Sequence, residues 1–328
     1  MHIAQRLMKF AVLATVMLPG TALAQGAAAS YPSKLVTVVL PFPAGGPVDN
    51  EVRLYTQKLS QDFARPFVMD FKVGAGTTIG IGHVAKAAPD GYTLLVTNSS
   101  FTITPAFYSN LPYDSLKDLA PISLMSKRTT WLLANPSMPF SNIPEYIAYV
   151  RAHPNEINMA TVGAGGALHL SGAWLHSATN SKVTFIHYKG AGPLYLDLIS
   201  GRVHVTFITL SSSQPYVKSG KLKVLGLSSL ERSPLAPDIP TIAEQVLPGF
   251  EYSSWIGFSA PAATPAEIIN KLSTQLARVA RAPEITQKLA PEGTVSIGST
   301  PEQFRDYIAT ETTRWRKLVQ DTGIKLGD

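Results

Sequence analysis

From Tyr31 onward the chain alternates short apolar runs with stretches of helical spacing. Leu35 to Leu40 is a β-branched apolar run that stops at Pro41, as a strand buried on both faces would. Val48 to Phe63 follows, with Val52, Tyr55 and Leu59 on one helical face. Phe67 to Phe71 predicts a second strand and Gly80 to Ala88 a short helix. The Asp90-Gly91 turn then leads into a strand from Tyr92 to Thr97. Strand, helix, strand, helix, strand is the order of an open α/β sheet.

A second unit repeats that order. Trp131 to Asn135, Asn158 to Thr161, Val183 to His187, Val203 to Ile208 and Leu222 to Leu227 predict strands. Helices are expected from Ile143 to Arg151, Leu168 to Ala178 and Pro193 to Ser200. Beyond Trp255 to Ser259 the pattern turns helical. Thr264-Pro-Ala-Glu267 reads as a capping box with proline at the first helical position. Thr300-Pro-Glu-Gln303 repeats the device ahead of Phe304, Tyr307, Ile308, Trp315 and Leu318.

The first residues follow a different pattern. Arg6 and Lys9 precede an apolar run from Phe10 to Leu18, a Pro19-Gly20 break and the small-residue site Ala22-Leu23-Ala24. Residues 1–24 are therefore read as a cleavable export signal. The run is shorter than the ~20 residues that span a bilayer. The chain has no cysteine, so a lipid anchor on that residue, disulfides and thiolate zinc sites are excluded. Length allows roughly two domains with cores of their own. Net charge is +6, falling to +4 once Arg6 and Lys9 leave with the signal. That excess is scattered, with no basic run interleaved with aromatics, so nucleic acid is not an expected partner.

Two segments carry candidate chemistry. Phe42, Pro43, Ala44, Gly45 and Gly46 join the first strand to a helix; Thr161, Gly163, Ala164, Gly165 and Gly166 do the same in the second unit. Each puts a glycine turn where unpaired N–H groups and the positive end of a helix dipole point outward. Such a turn accepts a carboxylate or phosphate without a charged side chain. Taken singly, each is equally a tight strand–helix connection. Neither loop has the Gly-x4-Gly-Lys-Ser/Thr of a phosphate loop. Gly74-Ala-Gly-Thr-Thr-Ile-Gly80 misses the dinucleotide fingerprint by one residue. Hydroxyls at Ser99, Ser100 and Thr209, past strand ends, offer further contacts to an anion.

Catalytic and metal signatures are missing. The sequence holds no Gly-x-Ser-x-Gly elbow and no His-Glu-x-x-His. His169 and His176 stand seven apart on one predicted helix without a carboxylate at matching spacing, which argues against a metal site. His169, in the first turn after the second glycine loop, is placed either to face a cleft or simply to start a helix.

At these positions the sequence resembles a known family, the periplasmic substrate-binding proteins of tripartite tricarboxylate transporters, also called Bordetella uptake gene receptors. The resemblance covers the whole chain beyond the signal. It rests on Pro41 to Gly46 with Asp49, Gly74 to Gly76, Val84 to Leu95, and Gly163 to Gly166 with His169. Further matches are Tyr188-Lys189-Gly190, Asp197 to Gly201, Arg232-Ser with Pro237 to Thr241, and Trp255 to Pro261. It implies an α/β, two-lobed periplasmic-binding-protein fold, type II-like, each lobe a mixed sheet flanked by helices and joined by crossover strands. Residues 31–128 with 256–328 would form one lobe and 129–255 the other, crossing near Lys127–Thr130 and Tyr252–Trp255. A carboxylate would be held between the lobes by amides of both glycine loops and by hydroxyls. Asp49, Gly76 with Thr77, His169, Tyr188, Lys189 and Gly190 join the ligand contacts on this ground.

This chain departs from the family pattern in places. Pro47 removes a donor from the first loop, and Thr77 stands where another glycine is common. Family members usually carry an aspartate near each end of the strand from Val203 to Ile208, where this chain has His204 and Ile208. The loss at Ile208 argues for a ligand without an ammonium group and with a more apolar body. Phe42, Phe101, Tyr188 and Phe207 near strand ends point to an aromatic, terephthalate-like dicarboxylate, though each fits a core equally well.

The expectation is a monomeric periplasmic solute-binding protein, not an enzyme, with no cofactor and no metal. It would deliver a small carboxylate to the membrane subunits of a tripartite transporter. A ligand sensor working with a kinase shares every one of these features. A periplasmic enzyme acting on carboxylates is the remaining alternative.

Overall fold

The computed structural model describes residues 30–324 apart from 109 and 165; the predicted export signal lies outside the described residues. The chain opens with β1 (Val36–Leu40), α1 (Pro47–Phe63), β2 (Phe67–Phe71), α2 (Thr78–Ala85), β3 (Thr93–Asn98) and α3 (Ser99–Phe107). β1 lies between β2 and β3, parallel to both, with Val38 opposite Met69 and Leu94. Its apolar run is covered on both faces, which is why the strand shows no alternation. α1 starts on Pro47, which has no N–H to leave unpaired, and buries Val52, Tyr55 and Leu59.

β4 (Leu119–Ala134) is sixteen residues long and belongs to two sheets. Sequence patterning had marked only its end, from Trp131. The earlier part carries Ser123, Ser126 and Arg128, which disguise a strand. Ser123 and Ser126 are buried because each finds a partner: the Ser123 hydroxyl donates to Ser299 O at 2.9 Å, and Ser126 bonds Glu51.

The second half runs α4 (Ile143–Ala152), β5 (Asn158–Val162), α5 (Ala167–Ala178), β6 (Thr184–Tyr188), α6 (Ala191–Ser200), β7 (Val205–Thr209), α7 (Leu210–Lys218), β8 (Lys223–Leu227) and α8 (Ile242–Gln245). β5 lies parallel between β6 and β7, while β7 and β8 pair antiparallel with the end of β4. The chain then returns. β9 (Ser253–Pro261) slots between β3 and β4 in the first sheet. After it come α9 (Ala266–Arg281), α10 (Pro283–Leu289), β10 (Thr294–Ser296) against β4, and α11 (Pro301–Thr322). No helix among the described residues is long and apolar enough to cross a membrane.

Only one of the two expected capping boxes forms. Thr300 accepts from the Gln303 N–H and Gln303 reaches back to Thr300. α9 instead starts after Pro265 without a side-chain cap, and the Thr264 hydroxyl is buried and unpaired. α3 and α7 were invisible in the sequence because each carries an interior proline, Pro105 and Pro215, of the kind that ordinarily ends a helix.

Each sheet has apolar packing on both faces. A further cluster joins the halves: Ile103 of α3, Leu170 of α5, Tyr252, and Trp315 and Leu318 of α11. Trp174 of α5 meets Trp315 edge-on at 6.2 Å, and Arg314 lies over the Trp174 ring. The last helix thus bridges both sheets.

His176 is buried inside the second half. Its ring bonds Tyr146 Oη at 3.0 Å and Ser181 Oγ at 2.7 Å. Burial lowers its pKa to about 3, so the fold holds the neutral imidazole. An unfolded chain takes up the proton at the ordinary value of 6.5. This group's stabilisation is therefore whole above that pH and is lost as pH falls toward 3, at ~1.4 kcal/mol per unit. Denaturant titrations between pH 6.5 and 5 should show that slope, flattened in His176→Gln. An equal slope in both proteins would refute it.

Candidate functional site

Because β1, β2 and β3 are parallel, their strand-to-helix junctions share one edge of the first sheet. The junctions after β5, β6 and β7 share one edge of the second. Residues from the two edges meet around a cavity of about 220 Å³. Gly76, Thr77 and Ser100 come from the first half; Ala164, Gly166 and Ala167 come from the second. Three helices begin at this cavity: α2 after Thr77, α3 at Ser99 and α5 after Gly166. Ile103, Thr104, Phe107 and Tyr108 complete the lining, and none of the lining side chains is charged. Five sequence-predicted residues, Gly76, Thr77, Ser100, Ala164 and Gly166, are thus brought together. The α3 wall was missed, since Pro105 hid the helix that presents it.

The β2–α2 junction is held in an uncommon shape. Gly74, Ala75, Gly76 and Thr77 all have positive φ, at 136°, 46°, 60° and 82°. For the β-branched Thr77 this region is strained, and its hydroxyl is buried without a partner. Strain of this sort persists only where surrounding structure enforces it.

The second glycine loop is built from below. Gly163, at φ +76°, gives its N–H to Tyr188 O at 3.0 Å. A Cβ on Gly166 would sit 3.0 Å from Val162 O, so a side chain there would force the backbone of the turn to shift. Gly165 lies outside the described residues. Thr161 is buried at the strand end and pairs with His187 Nδ1 at 2.6 Å. The His187 ring meets His169 at 4.7 Å, and His169 meets Phe185 at 4.5 Å. His169 is itself buried, so Thr161 and His169 support the loop from beneath.

The first glycine loop supplies its own anion. Gly45, at φ +80°, donates its N–H to Asp49 Oδ2 at 2.7 Å, and Asp49 pairs with Arg53 at 3.1 Å. Asp49 is buried, so its carboxylate occupies a donor that the sequence had offered to a ligand.

Comparison with known proteins decides what this arrangement belongs to. The sequence profile of the tripartite tricarboxylate transporter family receptor matches residues 52–324. The chain belongs to that family. BugT of Bordetella pertussis is 32% identical over 299 residues, covering 90% of this chain and 92% of BugT. The R. palustris protein Rpa4515, solved with adipate, is 32% identical with a TM-score of 0.75, covering 90% of this chain and 99% of its own. MatC (Rpa3494) from Rhodopseudomonas palustris, solved with malate, is 31% identical with a TM-score of 0.71, covering 88% and 100%. The two-lobed periplasmic-binding-protein fold expected from the sequence is the fold of this receptor.

In this tripartite tricarboxylate transporter receptor the other predicted residues lie outside the cavity lining. Phe42 packs toward the core of the first sheet, while Pro43 and Ala44 are exposed and Gly46 caps α1. Phe207 stacks on Phe250 in one core of the second half, and Ile208 packs near Trp131 in the other. Phe101 is core as well. The Ile208 side chain therefore faces its own sheet's packing, and the His204 ring accepts the Asn158 N–H at 2.9 Å. Tyr188 donates to Asp197 at 2.8 Å; burial first, then that bond, pushes its phenol up to about 12. Lys189 is exposed, Gly190 caps α6, and Thr209 caps α7 with its hydroxyl on Ser212. Ser99 is buried, beside the phenol of Tyr252.

Replacing Asp49 tests whether the first loop is self-supporting. Asp49→Ala removes the bonds to the Gly45 N–H and to Arg53, both open to water, and should destabilise the fold by about 1 kcal/mol in chemical denaturation. A change within ~0.5 kcal/mol, the range of an ordinary surface substitution, would remove the bond's structural role.

Proposed function

We propose that this receptor captures a small carboxylate in the cavity between its halves. It then delivers the ligand, chemically unchanged, to the membrane subunits of a tripartite transporter. The observation that carries the reading is the convergence of three helix N-termini, from both halves, on one cavity without a charged lining side chain. Helix dipoles and hydroxyls supply attraction for an anion of modest charge. No acidic group is there to oppose it. Adipate in Rpa4515 and malate in MatC support a carboxylate as the class.

The lobes in this reading are 31–128 with 256–328 and 129–255. A ligand touching both favours the closed arrangement by its differential affinity for it, a population shift. The closed surface would then be what the membrane subunits recognise. An export signal over residues 1–24 would place a monomeric receptor in the periplasm.

A melting-temperature screen against short mono- and dicarboxylates tests the proposal. A ligand present at a hundred times its Kd stabilises by about 2.7 kcal/mol, readily seen as a shift and then confirmed by calorimetry. If no carboxylate shifts the transition while an unrelated solute class does, the proposal fails.

A further inference from the structure

Hydroxyl-bearing and apolar side chains are interleaved along one wall of the cavity. α3 lines it with Ser100, Ile103, Thr104 and Phe107, and Tyr108 follows at the helix end. Ile103 and Phe107 stand four apart and form one stripe, which both packs into the cluster around Trp315 and Leu318 and lines the cavity. From Ser100 to Phe107 the helix advances about 10 Å. Ser100 is in the first turn, where the dipole is positive. Tyr108, half exposed, stands at the rim. Ala164 and Ala167 add methyl-sized surface from the other half. No Lys, Arg, Asp or Glu side chain waits along the stripe for a second charged group.

We infer that the site is one-ended: a carboxylate head sits among the helix starts, and an unsubstituted hydrocarbon body lies along Ile103 and Phe107 toward Tyr108. This rests on the carboxylate reading above and narrows its ligand class. The head is recognised by Thr77, Ser100 and the loop at Gly166, which are neutral. Thr77 fits this role because it lines the cavity and its hydroxyl has no hydrogen-bond partner. The body is recognised chiefly by burial, with Thr104 the one polar side chain between Ile103 and Phe107. A second carboxylate on a long body emerges past half-exposed Tyr108, where a neighbouring pocket presents both Asp114 and Arg316, and its net gain is small. Partway along the body the lining offers a single polar side chain, the Thr104 hydroxyl, so an ammonium group there is desolvated with at most one partner.

The test is a homologous series of straight-chain monocarboxylates titrated calorimetrically into the whole receptor. Each added methylene that reaches the stripe should tighten binding about fourfold, from ~0.8 kcal/mol per buried CH₂, and the gain should stop once the body passes Tyr108. Matched dicarboxylates should bind within about threefold of the monocarboxylates. Analogues aminated mid-chain should bind at least about tenfold more weakly, as expected for a buried charge that one Thr104 hydroxyl cannot satisfy. Phe107→Ser should flatten the chain-length dependence without abolishing binding of the shortest members.

Affinity that is flat with chain length overturns the inference, as does a second carboxylate worth tenfold or more. Both readouts use the natural chain, so misfolding of Phe107→Ser leaves the test intact. Failure of the carboxylate reading looks different: no member of any series binds, and the inference falls with it.

Discussion

Thr129 and Thr130 are neighbours in one strand, yet Thr129 pairs with Ser253 in the first sheet and Thr130 with Thr209 in the second. The positions of all six strand–helix junctions depend on that continuity. A buried knot of hydrogen bonds fixes the crossing. Ser228 gives its N–H to Thr130 O at 3.0 Å, and its hydroxyl accepts from Thr130 N at 3.1 Å. The same hydroxyl reaches Tyr252 O at 2.5 Å, and the Tyr252 N–H returns to Ser228 O at 2.8 Å. Both connections between the sheets are thereby tied to one serine. Away from that point the halves are free to hold a cavity on one side and the bridge of α11 on the other.

Charge is distributed to suit. The cavity lining has none, whereas the crossing is dense with it. Glu51, buried, takes hydrogen bonds from Tyr55 and Ser126 and an ion pair from Arg128, which also meets Glu292. Lys127 pairs with Glu251 at 2.7 Å and lies over the Tyr307 ring. Burial raises the pKa of Glu311 despite Arg314 beside it, the sign that desolvation outweighs the ion pair there. Such groups add little net stability, but removing either partner leaves a charge stranded. They fix geometry at the crossing, and the site keeps only dipoles and hydroxyls. No resident side-chain charge occupies the cavity lining.

Much of this was legible in the sequence. The apolar runs became strands where expected, and Gly76, Thr77, Ser100, Ala164 and Gly166 do share one cavity. What escaped has identifiable causes. Proline inside α3 and α7 obeys tertiary context over local propensity, and with α3 went the apolar wall of the site. Buried serines made most of β4 read as loop, because hydrogen bonds to distant residues leave no trace in local pattern. The inference of an apolar ligand body from Ile208 used a residue that faces a core. The first glycine loop shows the limit most clearly: its sequence advertises an open donor, and only the fold reveals Asp49 upon it.

The place of β9 has a consequence for how the molecule is made. β3 and β4 emerge from the ribosome long before the strand that sits between them, and the whole second sheet is synthesised in the interval. The second half, continuous in the chain, has all its strands by Leu227. The first waits with two edges of unpaired N–H and C=O groups until residues 253–261 arrive. Pairings so distant in sequence form slowly. A nascent chain stalled before β9 would therefore carry one finished sheet and one sticky one, an intermediate that invites aggregation and favours a holding chaperone.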